Sequence, residues 1–218
     1  MSAPSQSDAV KAGVAKASDL LARIDQKLPG IQIDGNHRHR IPAQLFDLAL
    51  EHAAGIVRLV AAANYASAFA LVRCEFECFV RGAWLHHRAT DAEIEKFVEK
   101  DEIKPKMGEL IDALEQGSPF EDKLLSSVKE KAWKPMNGYT HGGIHQVSPR
   151  LQGDYIEPAF DDEALLEVIQ FAGTMALIAF GEIAALAKRT DLIEETQAMI
   201  DSGASIVLPT SAPSPAAA

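Results

Sequence analysis

Hydrophobic residues recur every three or four positions along most of the chain, which is the spacing of amphipathic helices. The clearest case is the stretch 64–88, whose apolar positions are Phe69, Val72, Phe76, Phe79, Val80 and Ala83. The same spacing predicts three other long helices, at about 8–28, 42–63 and 161–189. Shorter helices are predicted at 91–100, 105–117, 118–133 and 191–201. No stretch alternates apolar and polar residues for long enough to predict a strand, so we expect an all-α fold, a bundle of about four main helices.

Capping and helix-breaking residues predict where these helices end. Asn64 is placed to cap the central helix. Thr90 with Glu93, and Ser118 with Glu121, have the spacing of a capping box. Pro135 is expected to kink or restart the helix that follows the second box.

The chain is expected to form one helical domain over residues 8–201. The segment 31–40 is predicted to be a loop, with Pro42 in the first turn of the next helix. The segment 91–160 is predicted to be a helical insertion packed across one end of the bundle. Residues 1–7 and the tail 202–218, which is rich in Ala, Ser and Pro, are predicted to be disordered.

Composition and charge narrow the functional classes. A net charge of −10 disfavours a broad nucleic-acid surface, which needs clustered Lys and Arg, so RNA is a possible but unfavoured partner.

Residues 168–187 have nearly the length of a membrane span, but Glu182 interrupts them, and we expect a buried core helix and no membrane association. The two cysteines, Cys74 and Cys78, are interpreted as small free thiols in a reducing cytoplasm.

Arg73, Glu77 and Arg81 form a polar row beside the apolar stripe of the central helix. Residues four apart on a helix are neighbours, so the row can be a ladder of ion pairs on a partly solvated face. Alternatively, Arg73 and Glu77 enter a polar pocket between helices, where charges must be paired.

The segment Tyr139–His145 is the second candidate site, because its glycines allow a sharp turn and a histidine such as His141 can act as acid, base or ligand. The alternative is a helix end whose histidines bond to loop backbone. We expect Arg73 and Glu77 to meet this segment, with Tyr139 or His141 bonded to Glu77.

The third candidate is the spacing of Arg81 to His86 and His87, an arginine followed by four or five residues and a histidine. It resembles the motif of the helical HEPN nucleases, which implies Arg and His acting on an RNA phosphodiester. In a straight helix both histidines point well over about 100° away from Arg81, so only a helix ending near Trp84 would bring them together.

No cofactor and no metal site are expected. The acidic and histidine residues that could in principle converge on a metal show no spacing that requires it: Glu51, His52, Glu77, His87 and Glu182.

The central helix and the later Tyr-Thr-His-Gly segment together resemble a bacterial all-helical family of unknown function. The resemblance covers about residues 40–190 and implies a fold but no activity. If the pattern marks a ligand site, its residues here are Arg73, Glu77, Arg81, Trp84, Tyr139, His141 and His145.

Two functional hypotheses follow. The first is a cytoplasmic interaction or regulatory protein that is at least dimeric, because its Ala- and Gly-lined helices offer more apolar surface than a small bundle covers. The second is a metal-independent HEPN-like ribonuclease, with Arg81, His86, His87 and His141 as candidate catalytic residues.

Overall fold

The computed structural model describes residues 6–117, 119–151 and 153–202. Within them the chain forms nine α-helices and one short 3-10 helix, which confirms the all-α class. The helices are α1 (Asp8–Lys27), α2 (His37–Ala61), α3 (Tyr65–His87), α4 (Asp91–Lys100), α5 (Met107–Leu114), α6 (Leu124–Thr140), α7 (Ile144–Val147), α8 (Asp162–Leu186) and α9 (Thr190–Asp201); the 3-10 helix is Ser148–Arg150.

The bundle is built on the pair α2–α3. The two helices run antiparallel, since Phe46 meets Phe79 at 5.7 Å between ring centroids while Gly55 lies against Leu71. α8 packs on both helices, and α1 covers α8 and α2. The predicted apolar stripe of the central helix is fully confirmed, because all six of its residues are buried. The four predicted main helices therefore form the core.

The helices between 91 and 140 pack around α3 and the start of α2. α5 and α6 lie against α3, and α4 lies against α2. The predicted capping box of Thr90 and Glu93 is present, with Glu93 N–H donating to Thr90 Oγ1 and Thr90 N–H to the Glu93 carboxylate. It fixes where α4 begins.

The prediction of a loop over residues 31–40 is wrong in its second half, because α2 begins at His37. Asn36 caps the helix by accepting from the His39 N–H at 3.2 Å. Arg38 is held by the Asp91 carboxylate at 2.6 Å and by the Ala89 carbonyl at 2.9 Å. These bonds stabilise the first turn, and Pro42 lies inside the helix, where it removes one backbone bond.

The predicted helix at 118–133 is displaced. Ser118 lies outside the described residues, but residues 119–123 are not helical, so no capping box opens this helix. Lys123, at φ 62°, precedes α6, which then continues through Pro135 to Thr140. The proline costs one backbone bond and does not end the helix.

Two smaller predictions also need correction. Asn64 stands at the start of α3 but its side chain makes no capping bond. The helix expected at 105–117 spans only Met107–Leu114. The disorder predicted for residues 1–5 and 203–218 lies outside the described residues.

α8 is the one helix in the described part of the chain that is long and apolar enough to cross a bilayer. Of its most apolar 18-residue window, 78% is buried inside the bundle. Asp161 caps it by accepting from the Ala164 N–H at 2.7 Å. Burial to this extent is what a core helix of a globular bundle shows.

Candidate functional site

The polar row of α3 is a single carboxylate held between two guanidiniums. Arg73 Nε donates to Glu77 Oε1 at 2.6 Å, and Arg81 Nη2 donates to Glu77 Oε2 at 3.2 Å. The exposed fractions of the side chains are 23% for Arg73, 18% for Glu77 and 43% for Arg81. The row is therefore a partly buried ladder at the edge of the core, more enclosed than a surface ion pair.

Arg73 connects this ladder to the end of α6. Its Nη1 lies 3.1 Å from His141 Nε2, and its guanidinium lies 5.0 Å from the centroid of the Trp133 ring. Because Arg can only donate, His141 must accept through an unprotonated Nε2, which requires a neutral imidazole. The expected contact between Arg73 and the Tyr139–His145 segment is thus present.

The expected bond from Tyr139 or His141 to Glu77 is replaced by another arrangement. Both oxygens of Glu77 accept from arginines, so in the described structure the segment is reached through Arg73. Trp133 was missed by the sequence analysis, because Pro135 was expected to interrupt the helix. In a continuous α6, Trp133 lies two turns before Thr140 on the same face.

The remaining residues proposed for ligand binding lie deeper. Tyr139 is buried, with its ring 4.8 Å from that of Phe69, and this burial, with Asp161 and Glu167 as lesser causes, raises its pKa. His145 is half-buried, with its ring 6.1 Å from Tyr139. Trp84 is only 5% exposed. The members of the predicted set that gather at one accessible place are therefore Arg73, Glu77, Arg81 and His141.

Arg81 and the histidines that follow it have separate partners. α3 continues to His87, so the early helix end that would align them with Arg81 does not occur. Arg81 bonds to Glu77 on one side of the helix, whereas His86 and His87 turn toward α8. The HEPN-like spacing in the sequence does not correspond to one cluster of side chains.

His86 and His87 converge on Glu182 of α8. His86 Nδ1 lies 3.2 Å and His87 Nε2 lies 2.8 Å from the same Glu182 oxygen, Oε2. Burial opposes ionisation of this carboxyl, but the hydrogen bonds from the two histidines outweigh it and lower its pKa. His87 and Glu182 are among the residues that the sequence allows to converge on a metal, whereas His86 is not.

Glu75 is a buried carboxyl that the sequence analysis overlooked. Its side chain is 0% exposed, and neither oxygen has a hydrogen-bond partner among the described residues. Burial raises its pKa well above the usual range. The sequence does indicate this burial, since Glu75 lies three residues after Val72 and four before Phe79, in the middle of the apolar stripe.

The two cysteines are free and half-buried, as predicted. Burial, with the neighbouring Cys74 as the next cause, raises the pKa of the Cys78 thiol to about 11. Such a thiol stays protonated at neutral pH and is a poor nucleophile.

Comparison with known proteins gives one match. The profile of a family of unknown function, DUF6988, matches residues 46–207, which include α3, the Tyr139–His145 segment and α8. No curated protein and no solved structure matches the chain.

Proposed function

The chain belongs to DUF6988, a family of unknown function, and from its own geometry we propose that it is an interaction protein that self-associates. The proposed contact surface is the apolar segment, residues 144–156, of which Gln152 lies outside the description. The polar cluster of Arg73, Glu77 and His141 lies next to the N-terminal end of this segment and holds that end in place.

One observation carries this proposal, the concentration of exposed apolar side chains in that segment. Eight large hydrophobic residues are exposed in the described chain, and five of them lie between 144 and 156. They are Ile144, Val147, Leu151, Tyr155 and Ile156, exposed by 53–79%, whereas the other three are exposed by 39–41%. Large apolar side chains that are exposed together in one segment are a sign of an interaction surface.

The surface first suspected for self-association is not the one that we propose. The small residues of α8, such as Gly173, Ala176 and Ala179, are buried against neighbouring helices. They are therefore already packed inside the bundle, and the exposed apolar surface available for self-association lies in the apolar segment.

A second copy of the chain is the partner that best fits the charges of the segment. A second copy carries the same net charge of −10, so two copies repel each other at long range and can meet only where the local charge is balanced. The segment, however, carries one basic residue, Arg150, and one acidic residue, Asp154. In a twofold contact the same patch faces itself, so opposite charges can meet across the axis while the apolar residues pack together.

The N-terminal end of the apolar segment is held against α3 and α6. Gln146 Nε2 donates to the Ala66 carbonyl at 2.9 Å, and Arg73 bonds to His141 just before the segment begins. Farther along, the Ala159 N–H donates to the Pro149 carbonyl at 2.9 Å. These bonds present the apolar side chains from a fixed backbone, which lowers the entropy cost of association.

Sedimentation across a range of protein concentrations tests the proposal. We expect wild type to be at least dimeric at micromolar concentration, and Ile156→Asp to weaken the association by at least about tenfold, because a charge in a buried contact loses its hydration. Val98→Asp is the matched control, since Val98 is also exposed but lies on α4. A monomeric wild type, or equal weakening by both substitutions, would contradict the proposal.

We place the protein in the cytoplasm as part of the same proposal. The support is the pair of free thiols, Cys74 and Cys78, which a reducing compartment preserves, and the burial of α8 inside the bundle.

Metal-independent RNA cleavage is the second candidate, favoured by the Arg73–His141 contact. When Arg73 turns from His141 to a phosphate, it stabilises the phosphate charge and frees the Nε2 lone pair of the neutral imidazole to act as a general base 3.1 Å away. Incubation of labelled RNA with purified protein and excess chelator tests it. Cleavage that is lost in His141→Ala but retained in His145→Ala would support this candidate, and uncleaved RNA would eliminate it.

A further inference from the structure

The two histidines at the end of α3 and the glutamate of α8 have the chemistry and geometry of a metal site. We propose that His86, His87 and Glu182 bind a divalent transition metal ion, with Zn²⁺ as the best match. Their three ligand atoms, one imidazole nitrogen from each histidine and a carboxylate oxygen, all lie within 4.8 Å of one another.

The spacing of these atoms suits a tetrahedral ion. Zinc–ligand bonds of about 2.0–2.1 Å place two ligands of a tetrahedron about 3.3 Å apart. The two nitrogen–oxygen distances here are 3.2 Å and 2.8 Å, within a few tenths of an ångström of this value. The two imidazole nitrogens lie within 4.8 Å of each other, and rotation of the rings sets their final separation around the ion.

In the metal-free protein each histidine donates to Glu182 from the ring nitrogen that faces it. Metal binding displaces that proton, so the facing nitrogen gives its lone pair to the metal and the other ring nitrogen carries the one proton of the neutral imidazole.

The surroundings hold the ligands in place and leave one side open. The His87 ring lies edge-on to Phe120, with 5.5 Å between centroids, and Glu182 is only 10% exposed at its side chain. Both histidines are 21% exposed, so solvent reaches the cluster. Three protein ligands with an accessible fourth position are typical of zinc sites that bind water or a substrate.

The local electrostatics favour a cation. The cluster stands at the C-terminal end of α3, where the helix dipole is negative. The guanidinium of the neighbouring Arg88 donates to the carbonyls of Ala113 and Leu114 at 2.9 and 3.1 Å. Two nitrogens and one carboxylate select Zn²⁺ or a similar transition metal over Mg²⁺ and Ca²⁺, which prefer oxygen ligands.

Zinc titration of metal-stripped protein, followed by calorimetry, tests the site. We expect one Zn²⁺ per chain, a rise in melting temperature on binding, and affinity lowered by at least about tenfold in Glu182→Gln, His86→Gln and His87→Gln. The matched control is His37→Gln/Glu95→Gln, which removes an exposed histidine–carboxylate pair at 2.8 Å that has no third metal ligand among the described residues. That variant should bind Zn²⁺ as wild type does.

Substitution with Co²⁺ adds a readout that does not depend on stability. A tetrahedral site gives Co²⁺ an intense visible absorption, which each of the three site substitutions should remove. Should Glu182→Gln fail to fold, judged by circular dichroism, the two histidine variants still decide the question. Absence of Zn²⁺ binding in wild type, or equal binding in the site and control variants, would overturn the proposal.

Discussion

Glu77→Ala is expected to lower the free energy of unfolding by about 1.5–3 kcal/mol at neutral pH, the range for hydrogen bonds to charged groups. Its two oxygens bond to Arg73 and Arg81, and removing them leaves both guanidiniums without that partner. The expected loss of stability is set by how buried the pair is, and its side chains are 18% exposed for Glu77 and 23% exposed for Arg73. The cost falls below the value of about 3–5 kcal/mol for a fully buried pair, and exceeds that of about 0–1 kcal/mol for an exposed pair.

Urea unfolding of wild type and two variants measures this effect. The control is Glu95→Ala, which breaks the pair with His37 where both side chains are about half exposed, and it should change stability by less than about 0.5 kcal/mol. A Glu77→Ala cost as small as that of the control would show that the ladder is a solvated surface feature. Glu77→Gln should recover part of the loss, because the amide oxygen can still accept from one arginine.

The sequence predicts the faces of the helices much better than their ends. The stripe of α3 follows from the spacing of residues along one helix, and the capping box at Thr90 from bonds within one turn. Both are found as predicted. The start of α2 was misplaced because Arg38 is held by Asp91, a residue 53 positions later. Bonds of that kind stabilise a helical turn that local propensity alone does not favour.

The candidate sites show the same division between local and long-range information. Periodicity places Arg73 at the edge of a buried face, and the need to pair a charge there led to the contact with His141, 68 residues away. The meeting of His86 with Glu182 depends on how α3 and α8 align along their axes. Hydrophobic periodicity gives the direction of a face but not this alignment, so the cluster could not be derived from the sequence.

Glu75 is expected to make the stability of the fold depend on pH. In the unfolded chain its carboxyl titrates near about pH 4.3. Burial without a partner raises the pKa in the folded state, so the folded protein keeps the proton to higher pH. Above the unfolded pKa the unfolded state alone loses its proton and is thereby favoured. The contribution of Glu75 to stability therefore falls with rising pH, by up to about 1.4 kcal/mol per pH unit, until the folded pKa is reached.

Glu75→Gln removes the titration and keeps the size of the side chain, so it isolates this contribution. Relative to wild type, the variant should gain stability as the pH is raised from about 5 to about 8, with a difference that grows by as much as about 1.4 kcal/mol per unit. Urea unfolding at several pH values measures it, and Glu99→Gln on the exposed face of α4 serves as the matched control with a constant difference. Parallel stability curves for wild type and Glu75→Gln would mean that Glu75 is paired or solvated, because burial without a partner is what raises its pKa and makes the two curves diverge.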